Sequence, residues 1–258
     1  MRFQSRAKRL LLVWTCAAAA CTPGGGGEAR EGTTPGGTGA FGGGDGGIVF
    51  GVLGNPATLD PYSPLATDLT YTLVRPLFPS LFRFGPEGRA VAMLARSTAE
   101  TGSGVRITLR RARWSNGNAI TARDVVATVR RAESPSGLAA VSSARALGSR
   151  RVELRGASKN WRRTLATAAP ILPGGGGVRP GGVSGGPFRL SSFTPGLEAV
   201  YRPNPRWWGP EPDSDRITVQ FVADLEIMLA LLRSGRLDGA APPSSVNLGQ
   251  RLDAMGIE

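Results

Sequence analysis

Histidine is absent from the 258 residues, and cysteine occurs only twice, at Cys16 and Cys21. Without histidine there is no Ser-His-Asp or Cys-His catalysis, no His-ligated zinc and no proximal-His haem. With both cysteines inside the first 21 residues, no structural disulfide can staple the body and no cysteine-rich metal cluster can form in it. Lysine is nearly missing: of 31 basic residues only Lys8 and Lys159 are lysines. Paired acids are scarce too, and Asp213 and Asp215 beside Pro212 read as a solvated turn rather than general acid and base. The sequence predicts no catalytic residue, no metal site and no cofactor.

Nineteen acidic residues leave a net charge of +12, which on its own points to a nucleic-acid partner. The distribution argues otherwise. Arg2, Arg6, Lys8 and Arg9 precede an apolar leader that has no acid, and discounting them lowers the charge to +8. The other arginines are scattered singly or in pairs, such as Arg110-Arg111 and Arg162-Arg163, with no basic run interleaved by aromatics as single-strand binders use. The expectation is a solvated basic surface and no nucleic-acid partner.

Residues 1–21 have the layout of a secretory signal. The apolar stretch Leu10–Ala20 spans 11 residues, too short for the roughly 20 that a membrane-crossing helix needs, but suited to a signal core. Ala18-Ala19-Ala20-Cys21 resembles a bacterial lipobox, in which the cysteine is lipidated and becomes the mature N-terminus. Cys21 is therefore the expected lipidation site, with plain cleavage after Ala20 as the other reading. Several buried acyl chains, at about 0.8 kcal/mol per CH₂, anchor a protein stably without a transmembrane helix. Residues 22–47 hold 13 glycines in 26 positions, cannot bury enough apolar area to offset their ordering entropy, and read as a tether. They lack the Gly-Lys-Ser/Thr ending of a phosphate-binding loop.

Residues 48–258 form the expected folded body, large enough for a substantial core. Ile48–Leu53 is a short apolar run closed by Asn55-Pro56, which predicts a buried strand leading into a loop. Val105–Arg110 and Ile217–Val222 alternate with period 2 and predict half-buried strands. Arg151–Arg155, Phe188–Leu190 and Ala199–Tyr201 are shorter strand candidates. Thr121 with Asp124 three places on has the form of a capping box. It opens a helix through Ala122, Val125, Val126, Val129 and Ala132 that ends before Pro135. Asp224 is placed to cap a second helix, Leu225–Arg233, with Gly235 as its stop and Met228 and Leu229 facing the core. Residues 173–182, rich in Gly and Pro, are expected to form a surface loop. Trp114 and Trp207 are expected to be buried anchors.

The order of short blocks along this body resembles the extracellular solute-binding proteins of family 5, the receptors of peptide, oligopeptide and nickel ABC importers. The blocks are Asn55-Pro56-Ala57-Thr58-Leu59-Asp60-Pro61, Leu77–Leu81, Phe84–Gly88, Trp114-Ser115-Asn116-Gly117, Ile120–Val125, Ser184–Leu190, Tyr201–Gly209 and Leu231–Asp238. The resemblance implies the first lobe of a periplasmic-binding-protein-like bilobal α/β fold (type II, cluster C), a mixed sheet with flanking helices, with the second lobe missing. It implies a ligand held between two lobes, an oligopeptide or similar small solute bound much as an added strand, and delivery to ABC-importer permease subunits. It places Asn55, Pro56 and Ala57 at the cleft as ligand-binding candidates. It also implies an extracytoplasmic protein, joined to the membrane through its N-terminal lipid.

Two departures qualify the resemblance. Family members run to about twice this length, so the lone lobe is expected to expose its cleft wall and to leave unpaired strand edges. Ser184-Gly185-Gly186-Pro187-Phe188 stands where the family pattern is Gly-Thr-Gly-Pro-Tyr, losing a hydroxyl at two positions. A truncated non-binding remnant or a surface interaction module of the same fold is the alternative. A basic nucleic-acid-binding protein is the remote one. Ligand identity is open, a chelated metal or a sugar included.

Overall fold

The computed structural model describes residues 47–132, 141–156, 159–167 and 169–241. The leader, Cys21 and nearly all of the glycine-rich tether lie outside the described residues. Gly47, assigned to the tether from sequence, is the first residue of strand β1 (Gly47–Leu53). Helix α1 (Asp68–Val74) follows, then the hairpin β2 (Phe82–Phe84) and β3 (Ala90–Ala92). Next come β4 (Ala95–Thr101), β5 (Gly104–Leu109), α2 (Ala122–Ala132), β6 (Ser143–Ala146), β7 (Arg151–Arg155) and α3 (Trp161–Thr167). A 3-10 turn (Pro173–Gly175) leads to β8 (Phe188–Thr194), β9 (Glu198–Pro203), β10 (Arg216–Val222), α4 (Leu225–Arg233) and β11 (Gly239–Ala241).

Two principal sheets result. The five-stranded one has the order β11-β1-β10-β9-β8, in which β1 is parallel to both β10 and β11, and β9 runs antiparallel to its neighbours β10 and β8. The four-stranded one, β4-β5-β7-β6, is antiparallel throughout. Every strand expected from the sequence is present, and β8 runs four residues beyond Leu190.

The patterns explain the layers. Strand β1 reads as an unbroken apolar run because both its faces are covered. Val52 joins the main core, whereas Val49 packs with Val222, Met228 and Leu237 beneath α4. Strand β5 alternates, sending Val105, Ile107 and Leu109 inward and Arg106 outward. The main core runs continuously from Leu73, Leu77 and Tyr201 through Trp114 and Ile120 to Val152, Leu154 and Leu165, so both sheets share one interior. Each fully buried large apolar side chain in it contributes about 1.5–3 kcal/mol.

Helix caps behave as their chemistry requires, with one difference. Asp224 Oδ1 accepts the Ile227 N–H at 2.9 Å, and Gly235 at φ +68° ends α4. At α2 the acid dominates. Asp124 Oδ2 accepts the Thr121 N–H (2.7 Å) and hydroxyl (2.9 Å), so the threonine hydroxyl donates to the acid instead of capping an amide. Asp124 Oδ1 accepts from Gly174 N–H at 2.9 Å. Residues 173–182 are a surface loop as expected, with no buried residue, and that last bond fastens its start. Its first turn lies on α2, where Thr128 Oγ1 takes the Leu172 N–H and Arg131 donates to the Gly175 carbonyl.

Candidate functional site

Because β1, β10 and β11 are parallel, their C-terminal residues Leu53, Val222 and Ala241 share one edge of the sheet. Loops leaving that edge line the crevice of an open α/β sheet. The chain turns off β1 at Gly54, whose φ of +83° favours glycine and whose N–H donates to the Val222 carbonyl at 2.9 Å. Asn55 follows, and its Oδ1 accepts the Gly196 N–H at 2.9 Å. Gly196 sits in the turn between β8 and β9, and the Leu197 carbonyl of that turn accepts the Phe221 N–H at 2.9 Å. From Val222 the chain passes through Ala223 and Asp224 into the first turn of α4. Three segments thus converge on one edge: the Asn55 loop, the β8–β9 turn and the start of α4.

The edge meets water with apolar and acidic side chains, since Asp224 and Glu226 at the start of α4 are exposed. Leu197 is 43% exposed and Ile227 48%, two of the few large hydrophobic side chains exposed among the described residues. Asn55 and Ala57 are exposed beside them, while Pro56 is buried. The sequence-based candidates therefore separate by role in the architecture. Asn55 ties the loop to the hairpin, Pro56 packs inward, and Ala57 presents its face to solvent. Sequence reasoning missed Gly196, Leu197 and Ile227. The only available signal was the turn Pro195-Gly196-Leu197, and nothing local says which edge it joins.

The residues after Ala57 hold this loop in place. Thr58 Oγ1 accepts the Asp60 N–H (3.0 Å), and its carbonyl accepts from the Thr70 hydroxyl (3.0 Å). Asp60 Oδ1 accepts the Tyr62 N–H at 3.0 Å, and its Oδ2 pairs with Arg131 of α2. Tyr71 donates to the Pro61 carbonyl at 2.8 Å, and Tyr62 donates to the Pro170 carbonyl at 2.7 Å. Burial, reinforced by neighbouring Tyr71 and Asp60, holds the Tyr62 phenol well above its ordinary value, so it stays a neutral donor. Thr58-Leu59-Asp60-Pro61 is thus a clamp that fixes the loop from behind.

A second knot joins blocks distant in sequence. The Leu77 carbonyl accepts from both Gly185 N–H (2.9 Å) and Gly186 N–H (2.8 Å), and the Pro76 carbonyl accepts from Phe188 (3.1 Å). Ser115 and Ser184 exchange bonds, Ser115 N–H to the Ser184 carbonyl (2.7 Å) and Ser184 N–H to Ser115 Oγ (3.0 Å). Buried Asn204 donates to the Gly186 carbonyl at 2.9 Å. No Cβ fits at the glycines. At Gly185 it would sit 2.6 Å from the Trp114 ring, and at Gly186 2.4 Å from the Pro76 carbonyl oxygen. Trp114 is the expected core anchor at 3% exposure. Trp207 is only half-buried, its ring tilted 46° to that of Trp208 at 4.5 Å and its indole N–H donating to the Pro210 carbonyl across the turn at Gly209.

Among the described residues no cluster of three or more His, Cys, Asp or Glu side chains could hold a metal, and no helix is long and apolar enough to cross a membrane. Asp213 and Asp215 are exposed, in keeping with a solvated turn. The edge offers a ligand apolar contact through Leu197 and Ile227.

Comparison with known proteins sharpens this description. The model of the bacterial extracellular solute-binding proteins, family 5 Middle, matches residues 89–257. The peptidoglycan-binding protein YepA of Agrobacterium fabrum is 28% identical over 156 residues, 50% of this chain and 25% of that protein. Protein XP55 of Streptomyces lividans is 36% identical over 64 residues, 25% of this chain and 12% of that protein. The oligopeptide-binding protein AppA of Bacillus subtilis, solved with a nonapeptide, superposes with a TM-score of 0.68 at 18% identity, covering 80% of this chain and 46% of that one. The periplasmic binding protein AgaA of A. tumefaciens R10, solved with agropinic acid, gives 0.67 at 24% identity, covering 75% and 43%. The chain therefore spans at most a quarter of these curated relatives and under half of these solved structures. The structural likenesses establish a partial lobe of the periplasmic-binding-protein fold.

Proposed function

The chain belongs to the bacterial extracellular solute-binding proteins of family 5, and on that premise we propose that it serves an ABC importer as the first lobe of an oligopeptide or small-solute receptor. The family binds solutes outside the cytoplasm rather than transforming them. One observation carries the finer reading: the Asn55 loop, the β8–β9 turn and the start of α4 converge at the C-terminal edge of three parallel strands, leaving Ala57, Leu197 and Ile227 facing solvent. An extended peptide has apolar side chains that can pack on the exposed Leu197 and Ile227. AppA was solved with a nonapeptide and AgaA with agropinic acid, so the fold admits both peptides and small acidic solutes.

Asn55, Pro56 and Ala57 remain the proposed contact segment, with Ala57 at its exposed tip and Asn55 acting also through Gly196. Cys21 is the proposed lipid attachment, residues 1–21 the signal and 22–47 the tether, with importer permease subunits as the partners. Native mass spectrometry of the chain with a randomised pool of tri- to pentapeptides tests the ligand class. Peptide adducts are expected on the parent, weakened at least about ten-fold by Ala57→Trp through steric blockade. No adduct at millimolar peptide refutes the reading. The exposure of Leu197 and Ile227 also favours a second reading, a protein-interaction module using the same edge, which then fits the absence of adducts.

A further inference from the structure

The outer face of the four-stranded sheet carries an arrangement that solute binding does not use. Directly opposed residues on neighbouring strands share a face. Arg106 of β5 and Arg145 of β6 both oppose Glu153 of β7, Arg151 opposes Thr108, and Arg155 opposes both Ser143 and Gly104. Four arginines thus surround one glutamate, across three strands about 4.8 Å apart. Helices α2 and α3 pack against other faces, α2 on β6 and β7 from the side of Val152 and Leu154, and α3 on the β2–β3 hairpin. Among the described residues nothing covers the arginine face.

The charges on this face are unevenly presented. Glu153 keeps only 11% of its side chain exposed, paired with Arg106 at 3.6 Å and Arg155 at 3.1 Å, whereas those two arginines remain 47% and 51% exposed. Arg145 and Arg151 are exposed and have no carboxylate within ion-pair distance among the described residues. Water therefore meets cations and hardly sees the acid. The other positions of the face, Ser97, Ala99, Thr101, Gly104, Thr108 and Ser143, are small or polar. With no aromatic side chain there is nothing for a nucleobase to stack on, and with no large apolar side chain there is no anchor for a protein hot spot. What remains is a flat field of guanidinium groups, the chemistry that pairs with phosphate oxygens two at a time.

We propose that this face docks on an anionic phospholipid bilayer, laying the four-stranded sheet against the headgroups. The inference rests on the extracytoplasmic, membrane-tethered reading above, which keeps the body within reach of a bilayer.

The test reconstitutes the full chain on vesicles of phosphatidylcholine alone or with phosphatidylglycerol, and follows arginine modification by phenylglyoxal with mass spectrometry. On anionic vesicles Arg145 and Arg151 are expected to react about five-fold more slowly or less, the factor carried by a single basic residue at an anionic surface. Arg189 and Arg202, opposed on β8 and β9 of the other sheet, should be unchanged, and the protection should vanish in about 1 M salt. Arg145→Gln with Arg151→Gln should abolish protection of Arg106 and Arg155, whereas Arg189→Gln with Arg202→Gln should not. Retention on both vesicle types with equal reactivity of all arginines overturns the docking and leaves the lipid anchor standing. Retention on anionic vesicles alone, with the protection described, supports docking and removes the anchor. Failure to associate with either, or equal protection of both sheets, overturns docking.

Discussion

Restoring the family's threonine at position 185 should destabilise this chain. A Cβ at Gly185 lies 2.6 and 2.7 Å from Trp114 Cζ3 and Cε3 and 3.0 Å from Ile120 Cδ1, against a comfortable carbon–carbon separation of about 3.5–4.0 Å. The ring must retreat by about 1 Å, yet Trp114 and Ile120 are 3% and 1% exposed and already enclosed by the core. Overpacking of this kind costs about 1–3 kcal/mol, and losing a glycine from the unfolded chain returns about 0.4–1 kcal/mol. Gly185→Thr should therefore cost about 1 kcal/mol net, which in a body of this size lowers Tm by about 2–4 °C. Thermal unfolding by circular dichroism reads the shift, and a cycle with Trp114→Leu tests its cause. If the clash is with the indole, the second substitution should cost at least about 0.5 kcal/mol less in the Gly185→Thr background than alone. A Tm equal to the parent's, or strictly additive costs, would refute the packing argument.

Three further outcomes follow from the same geometry. Asp124→Ala removes the acceptor of the Thr121 and Gly174 amides at once and should cost about 2–4 kcal/mol in urea unfolding. Asp124→Asn should recover part of this through its remaining carbonyl oxygen, and equal losses would count against the two-oxygen role. Burial raises the phenols of Tyr62 and Tyr201, so the folded state keeps protons that the unfolded chain releases near pH 10. Their contribution is complete below about pH 10 and declines as pH rises beyond it. Tyr201→Phe, which deletes the bond to the Leu73 carbonyl, should flatten the fall in urea midpoint above that pH, and an unchanged slope would contradict it. Cys21→Ser should release the protein from cell membranes washed in about 0.5 M salt, where surface charge is screened, and unchanged partition would remove the lipid anchor.

Much of this protein could be read locally because the forces concerned act locally. The period-2 run from Val105 and the unbroken run from Ile48 specify burial on one face and on two, and both appear as strands so buried. Asp224 needed only an amide three residues away to act as a cap. Where a partner lay far along the chain, residue type alone underdetermined the outcome. The glycines after Pro173 read correctly as a surface loop, but nothing nearby reveals that Asp124, fifty residues earlier, accepts from Gly174 and fastens it. Trp207 reads as core on size, but it is only half-buried, its indole N–H bonded across the turn at Gly209.

The sequence by itself determined six of the described strands and two of the helices, the absence of histidine and cysteine chemistry from the body, and, through the order of its blocks, the family. Tertiary structure alone decided which of those blocks meet. It brought Leu77, Trp114, Ser184 and Asn204 into one knot, set Asn55 against a hairpin 141 residues away, and gathered Arg106, Arg145, Arg151 and Arg155 onto one face. The physical reason is that strand register and helix docking are settled by burying one shared core. Which polar groups then meet depends on that burial, not on their own neighbours in sequence.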